Sequence, residues 1–117
     1  MGRVKRILVV DDDAIARGVV QQVLEQNGYE VIVAESGADA LAFLARDRPS
    51  LVLLDLKMSD MDGYEVLSMV DLQPALKGVP IVVISGQPPS SMPTSVPSLR
   101  KPVRMDDLLA VVKKHAA

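Results

Sequence analysis

Five polar side chains follow short apolar runs, at the points where buried strands would end. The runs ILVV, LVLL and IVVI precede Asp11 and Asp12, Asp55, and Ser85 in that order, and Lys101 comes shortly after Leu99. Carboxylates with no cysteine or histidine near them favour a hard octahedral cation, hence Mg²⁺ or Mn²⁺ in its place. A carboxylate nucleophile, a metal ion, a hydroxyl and an ammonium group are also the groups used in phosphoryl transfer. These residue types therefore predict a phosphoryl-transfer site that holds a divalent cation.

These side chains can meet only if their strands are neighbours in one parallel sheet. The runs at 7–10, 51–54 and 81–84 are continuous and rich in β-branched residues or leucine, as expected of strands covered on both faces. In a 2-1-3-4-5 order the first and third strands are neighbours where the order reverses, and ligands of open α/β sheets bind there. Two carboxylates about 5 Å apart repel by roughly 3 kcal/mol at an effective dielectric constant of about 20. The acids therefore need a positive partner, and both a cation and Lys101 could supply it.

Segments of helical period alternate with the strands, which predicts helices around the sheet. A first helix is predicted over residues 13–27, where apolar residues recur at every fourth position and a glycine stop follows: Ile15, Val19, Val23 and Gly28. No pattern explains Gly18 inside that helix. The segment 29–34 is predicted to be an edge strand, and Ser36 is a candidate N-cap for a helix through Arg46. Further helices are predicted from about Gly63 and around Met105, Leu108, Leu109 and Val112.

Composition indicates one soluble globular domain over residues 1–117. The chain is 49% apolar and 24% charged, with a net charge of −2 and no cysteine. The basic residues are dispersed, which gives no reason to expect nucleic-acid binding, and the absence of thiols excludes disulfides and thiolate metal sites. The apolar runs are too short to span a membrane. We therefore expect a cytoplasmic protein.

The order and spacing of four segments resemble a response-regulator receiver domain, the phosphoacceptor of two-component signalling. The segments are ILVVDDD at 7–13, LVLLDLKMSDMDGYEVL at 51–67, PIVVIS at 80–85 and KP at 101–102. The resemblance covers nearly the whole chain. It implies a flavodoxin-like, doubly wound sheet of five parallel strands in the order 2-1-3-4-5.

The resemblance also implies a role for each site residue. Asp55 would accept a phosphoryl group from a histidine kinase or a histidine phosphotransfer protein. Asp12 and Asp55 would bind Mg²⁺ directly and Asp11 through water, and the backbone carbonyl of Lys57 would complete the protein ligands. Ser85 would be the switch hydroxyl and Lys101 would pair with the phosphoryl group. Asp13 would cap the first helix, and the Lys101–Pro102 bond resembles one that is cis in the family.

Some positions depart from the family pattern. Ser59 replaces a proline, Arg104 replaces a capping side chain, and Ser98 replaces the aromatic residue that lies three positions before the lysine. The stretch between Ser85 and Lys101 is short and contains four prolines, which interrupt regular helix. The fourth helix of the family is therefore expected to be shortened or replaced by a Pro-rich loop.

Two functions remain open at this stage. The first is a phosphoacceptor receiver in a phosphorelay, where Mg²⁺-dependent phosphorylation of Asp55 switches contacts with an unknown downstream protein. It would catalyse only its own phosphorylation and dephosphorylation and so would not be classed as an enzyme. The second is a receiver-like interaction module with a weak switch or none. A haloacid-dehalogenase-type phosphatase is disfavoured, because that chemistry requires a second acid two residues after the nucleophilic aspartate, where this chain has Lys57.

Overall fold

Five parallel strands form the centre of the molecule. The computed structural model describes residues 4–56, 78–86 and 97–116. Its strands are β1 (Arg6–Val10), β2 (Glu30–Ala34), β3 (Leu51–Asp55), β4 (Ile81–Ser85) and β5 (Ser98–Arg100). They pair in the order β2-β1-β3-β4-β5, with β2 at one edge, so the predicted order and the predicted edge strand are both confirmed.

Three described helices cover both faces of this sheet: α1 (Ala14–Gln26), α2 (Gly37–Leu44) and α3 (Met105–His115). Side chains of β1 alternate between the two faces. Ile7 and Val9 pack with Leu24 of α1 and Leu108 of α3, among others. On the opposite face, residues of β1 and β3 pack with α2 in a cluster made by Leu8, Val10, Val52, Leu54, Ala40 and Leu44. Burial on both faces explains why the central strands are continuous apolar runs.

Helix α1 begins and ends at local signals that are visible in the sequence. The Asp13 carboxylate caps it by accepting hydrogen bonds from the backbone N–H groups of Ile15 and Ala16. At its other end Gly28 has a φ of 88°, and Tyr29 N–H donates to the Leu24 carbonyl at 3.1 Å, which makes a Schellman motif. The cap at Asp13 and the stop at Gly28 are thus confirmed.

The apolar period that indicated α1 does not mark its buried face. Leu24 is fully buried and Val20 packs beside it, whereas Ile15 is 81% exposed and Val19 is 47% exposed. Apolar residues recur every four positions on two sides of this helix, with Ile15 and Val19 on the exposed side and Val20 and Leu24 on the covered side. Only packing on the sheet decides which side is covered.

The other two helices agree with their sequence signals except at their ends. The Ser36 hydroxyl accepts from the Asp39 N–H at 3.0 Å and caps α2, as predicted, but α2 ends at Leu44 rather than at Arg46. Arg104 precedes α3 and makes no side-chain capping bond. The predicted helix from about Gly63 and most of the Pro-rich stretch lie outside the described residues. Among those described, no helix has the length and apolarity needed to cross a bilayer.

Candidate acidic pocket at the carboxyl edge of the sheet

Strand register places Asp11 and Asp55 side by side. Val10 of β1 is paired with Leu54 of β3, and an aspartate follows each of them. On its other side β1 pairs with β2, and this pairing continues past Val10, because Asp11 N–H donates to the Ala34 carbonyl of β2 at 3.1 Å. Asp11 and Asp55 are 9% and 4% exposed, so both carboxylates lie in a pocket largely closed to solvent.

Asp12 joins these two acids to form a three-carboxylate cluster. One oxygen from each of Asp11, Asp12 and Asp55 lies within 4.8 Å of the other two. Asp12 is exposed while its two companions are buried, so the cluster opens to solvent on one side. The meeting of acids 44 residues apart, predicted from the strand ends, is confirmed by this grouping.

Lys101 supplies the positive charge that the acids need. Its Nζ lies 3.1 Å from Asp55 Oδ2. The backbone brings it there, because Lys101 N–H donates to the Ser85 carbonyl at 2.9 Å and so continues the pairing of β4 with β5. The Lys101–Pro102 bond is cis, as the resemblance implied.

The electrostatic state of Asp11 reflects its crowded surroundings. Burial raises its pKa, and the neighbouring Asp55 carboxylate raises it further. The Asp13 N–H, which donates to Asp11 Oδ1 at 2.9 Å, and the Lys101 charge act in the opposite direction. The net effect is a raised pKa, so the folded protein holds the ionised form of Asp11 at a cost in stability.

Ser85 lies at the end of β4 and is 1% exposed. Its backbone is adjacent to Lys101, as described above, so the hydroxyl-bearing residue and the ammonium-bearing residue belong to the same edge of the sheet. Its role as a switch hydroxyl stays a prediction. The backbone carbonyl of Lys57, the remaining predicted ligand, lies outside the described residues.

One further residue contacts the pocket and was not identified from the sequence. Arg17, in the first turn of α1, donates from Nη1 to the backbone carbonyl of Asp11 at 2.8 Å. An arginine six positions after an acid has no spacing signature of its own. The contact depends on how the β1–α1 turn is folded.

The donor set suits a divalent oxygen-binding cation. Mg²⁺ binds oxygen ligands at about 2.1 Å in octahedral geometry, so adjacent ligands lie about 3.0 Å apart and opposite ligands about 4.2 Å apart. The carboxylate oxygens of the cluster lie within 4.8 Å of one another, so movements of the side chains would bring them into that range. Three carboxylates without nitrogen or sulfur donors favour Mg²⁺ or Mn²⁺ over softer metals.

Known proteins resemble this chain in sequence and in fold. The family model for the response regulator receiver domain matches residues 7–113. The chain belongs to the response regulator receiver family. Protein PilG of Pseudomonas aeruginosa is 28% identical over 116 residues, which cover 94% of this chain and 86% of PilG. Response regulator MprA of Mycobacterium leprae is 35% identical over 116 residues, which cover 92% of this chain and 49% of MprA.

The fold of this receiver domain agrees with that of a solved relative. The structure of chemotaxis protein CheY4 of Vibrio cholerae has a TM-score of 0.85 and 27% identity, and the match covers 97% of this chain and 99% of CheY4. The flavodoxin-like class is thereby confirmed. This chain covers 49% of the length of MprA. As a receiver domain, the protein functions in two-component signalling.

Proposed function

We propose that this receiver accepts a phosphoryl group on Asp55 from a phosphohistidine and that phosphorylation switches its contacts with other proteins. The observation that carries the proposal is the pairing of a buried Asp55 with Lys101 beside two further carboxylates. A buried carboxylate is a suitable nucleophile when a cation and an ammonium group offset the incoming negative charge.

Each residue of the pocket then has a defined task. An Asp55 oxygen attacks the phosphorus, and the bond from phosphorus to the donor histidine nitrogen breaks with its electron pair kept by that nitrogen. Because the other ring nitrogen of the donor carries a proton, the leaving group is a neutral imidazole. Lys101 moves from the Asp55 carboxylate to a phosphoryl oxygen, and the Ser85 hydroxyl donates to another. Asp11, Asp12, Asp55 and the backbone carbonyl of Lys57 would hold Mg²⁺, which would supply positive charge against the negative charge on the phosphoryl oxygens. Water later hydrolyses the acyl phosphate on Asp55, which returns the carboxylate and releases inorganic phosphate.

The phosphodonor is proposed to be a histidine kinase or a histidine phosphotransfer protein, in the cytoplasm. The N-terminal half of α1 supports a docking site for such a partner beside the pocket. Ile15, Gly18 and Val19 lie on one exposed side of α1, which begins directly after the acidic turn. A helix-bearing partner that covered these apolar side chains would place its phosphohistidine close to Asp55, and the flat surface at Gly18 would permit close approach.

A second candidate is a receiver-like module that binds its partner without a phosphorylation switch. Ser98 favours it, because this exposed residue opens β5 where the family has an aromatic side chain. The pocket chemistry would then persist while the surface that reports phosphorylation would not respond.

A mass measurement tests the first proposal. The protein is incubated with Mg²⁺ and a small phosphodonor, and the intact masses of the wild type, Asp55→Asn and Asp39→Asn are compared. Asp39 is an exposed carboxylate of α2 and serves as the matched control. A gain of one phosphoryl group on the wild type and the control, but not on Asp55→Asn, supports phosphorylation of Asp55. No gain on the wild type from any small donor or histidine kinase would favour the second candidate.

A further inference from the structure

We propose that Arg17 is a positioning residue for the divalent cation, holding the Asp11–Asp12 peptide so that the Asp12 carboxylate faces the site. The inference rests on the function proposed above and adds a residue outside the ligand set. Its basis is the 2.8 Å hydrogen bond from Arg17 Nη1 to the Asp11 carbonyl, which is partly buried. That carbonyl belongs to the peptide unit that joins the buried acid to the exposed one.

Hydrogen bonds tie down the turn around this peptide on both sides. Asp11 N–H is held by the Ala34 carbonyl of β2, and Asp13 N–H is held by Asp11 Oδ1. Arg17 N–H also donates to the Asp13 carbonyl at 2.9 Å, so the same residue binds the turn through its backbone and through its side chain. The Asp11–Asp12 peptide lies between these anchors, and Arg17 holds its oxygen.

The hydrogen bond to the Asp11 carbonyl restrains the backbone that carries the Asp12 side chain. It fixes the plane of the Asp11–Asp12 peptide and so limits independent changes in ψ of Asp11 and φ of Asp12, which would move the Asp12 Cα–Cβ bond. Mg²⁺ tolerates little departure from octahedral geometry, and binding sites need their ligands held within about 0.5 Å. Asp12 is exposed, and restraining its backbone is a direct means of holding its carboxylate in place.

A charge-compensating role for Arg17 is the alternative, and the geometry favours positioning. The guanidinium donates to a neutral carbonyl rather than to a carboxylate. The cation that bonds to the buried acids is Lys101, at 3.1 Å from Asp55. Lysine at position 17 would keep the charge but lose the rigid planar fork that reaches the Asp11 carbonyl, so it separates the two roles.

The experiment measures Mg²⁺ affinity of the unphosphorylated full chain by amide chemical-shift titration, for the wild type, Arg17→Lys and Arg17→Met. Arg46, which is exposed and lies just after the end of α2, supplies the matched control Arg46→Met. Loss of a group that orients a metal ligand typically weakens binding about 10-fold to 100-fold, and we expect about tenfold for both Arg17 variants. Arg46→Met should stay within about twofold of the wild type, a change worth less than about 0.5 kcal/mol.

A kinetic readout separates positioning from chemistry. Because the defect lies in cation binding, both Arg17 variants should need more Mg²⁺ to reach half-maximal phosphorylation by a small donor, with the rate at saturating Mg²⁺ close to that of the wild type. Wild-type affinity in Arg17→Lys would overturn the proposal in favour of charge compensation, and unchanged affinity in both variants would overturn any role. If Arg17→Met does not fold, Arg17→Lys decides. A wild type that neither binds Mg²⁺ nor takes up phosphoryl would instead contradict the proposed function.

Discussion

Replacing Asp11 by asparagine should stabilise the metal-free receiver, although it damages the site. The Asp11 carboxylate has an oxygen within 4.8 Å of oxygens of Asp12 and Asp55. Two charges at that distance repel by about 3.5 kcal/mol at an effective dielectric constant of about 20. Exposure of Asp12 and the pairing of Lys101 with Asp55 screen most of this, so we expect a gain of about 1–3 kcal/mol. Asparagine keeps Oδ1, the atom that accepts from Asp13 N–H.

The gain should depend on pH with a definite sign. The folded-state pKa of Asp11 is raised above the ordinary 3.8, mainly because the carboxyl is buried. Below the unfolded-state pKa the group is protonated in both states and costs nothing. As the pH rises through the raised folded-state pKa, ionisation in the pocket costs stability, which asparagine avoids. The difference between Asp11→Asn and the wild type should therefore be larger near neutral pH than in acid, where it vanishes.

Urea unfolding followed by circular dichroism measures this difference, at neutral and acidic pH, with and without Mg²⁺. Exposed Glu35 provides the control Glu35→Gln, which removes the same charge outside the pocket. Mg²⁺ should stabilise the wild type and the control, because it binds the folded state, and should stabilise Asp11→Asn much less. A metal-free Asp11→Asn no more stable than the wild type at neutral pH would refute the electrostatic account of the pocket.

Four further outcomes are expected. Gly18→Ala should raise the free energy of unfolding by about 0.5–1 kcal/mol in urea titrations, because no atom lies within 4 Å of the added Cβ. Ser36→Ala should lower it by about 1 kcal/mol in the same assay through loss of the α2 cap. Arg6→Gln should raise the pKa of Asp47 from about 2 toward 3.8, as measured by NMR titration. In the wild type this ion pair stabilises the fold above the unfolded-state pKa of Asp47, and the stabilisation is lost as the pH falls toward about 2; the variant should lack it. Ile15→Ser should slow phosphoryl transfer from a phosphorylated histidine kinase while leaving the rate with a small donor unchanged. If the variant and the wild type accept phosphoryl from the kinase at the same rate, docking on α1 is contradicted.

Local signals in the sequence predicted the elements and the members of the pocket. A continuous apolar run identifies a strand covered on both faces wherever it occurs, and Asp13, Ser36 and Gly28 act on the backbone groups next to them. The acids were predictable for the same reason, since each directly follows such a run and parallel strands end at one edge. The strand order agreed with expectation because crossover connections leave few alternatives.

The sequence by itself determined which residue types stand at the strand ends and therefore what chemistry the edge can support. Only the tertiary structure decided which side of α1 is covered, leaving Ile15 in solvent, and that Arg17 reaches back to the Asp11 carbonyl. It also decided that Lys101 pairs with Asp55 at 3.1 Å. The physical reason is that strands and caps form from neighbouring residues, whereas a helix's rotation on a sheet and a long side chain's partner depend on groups brought together by the whole fold.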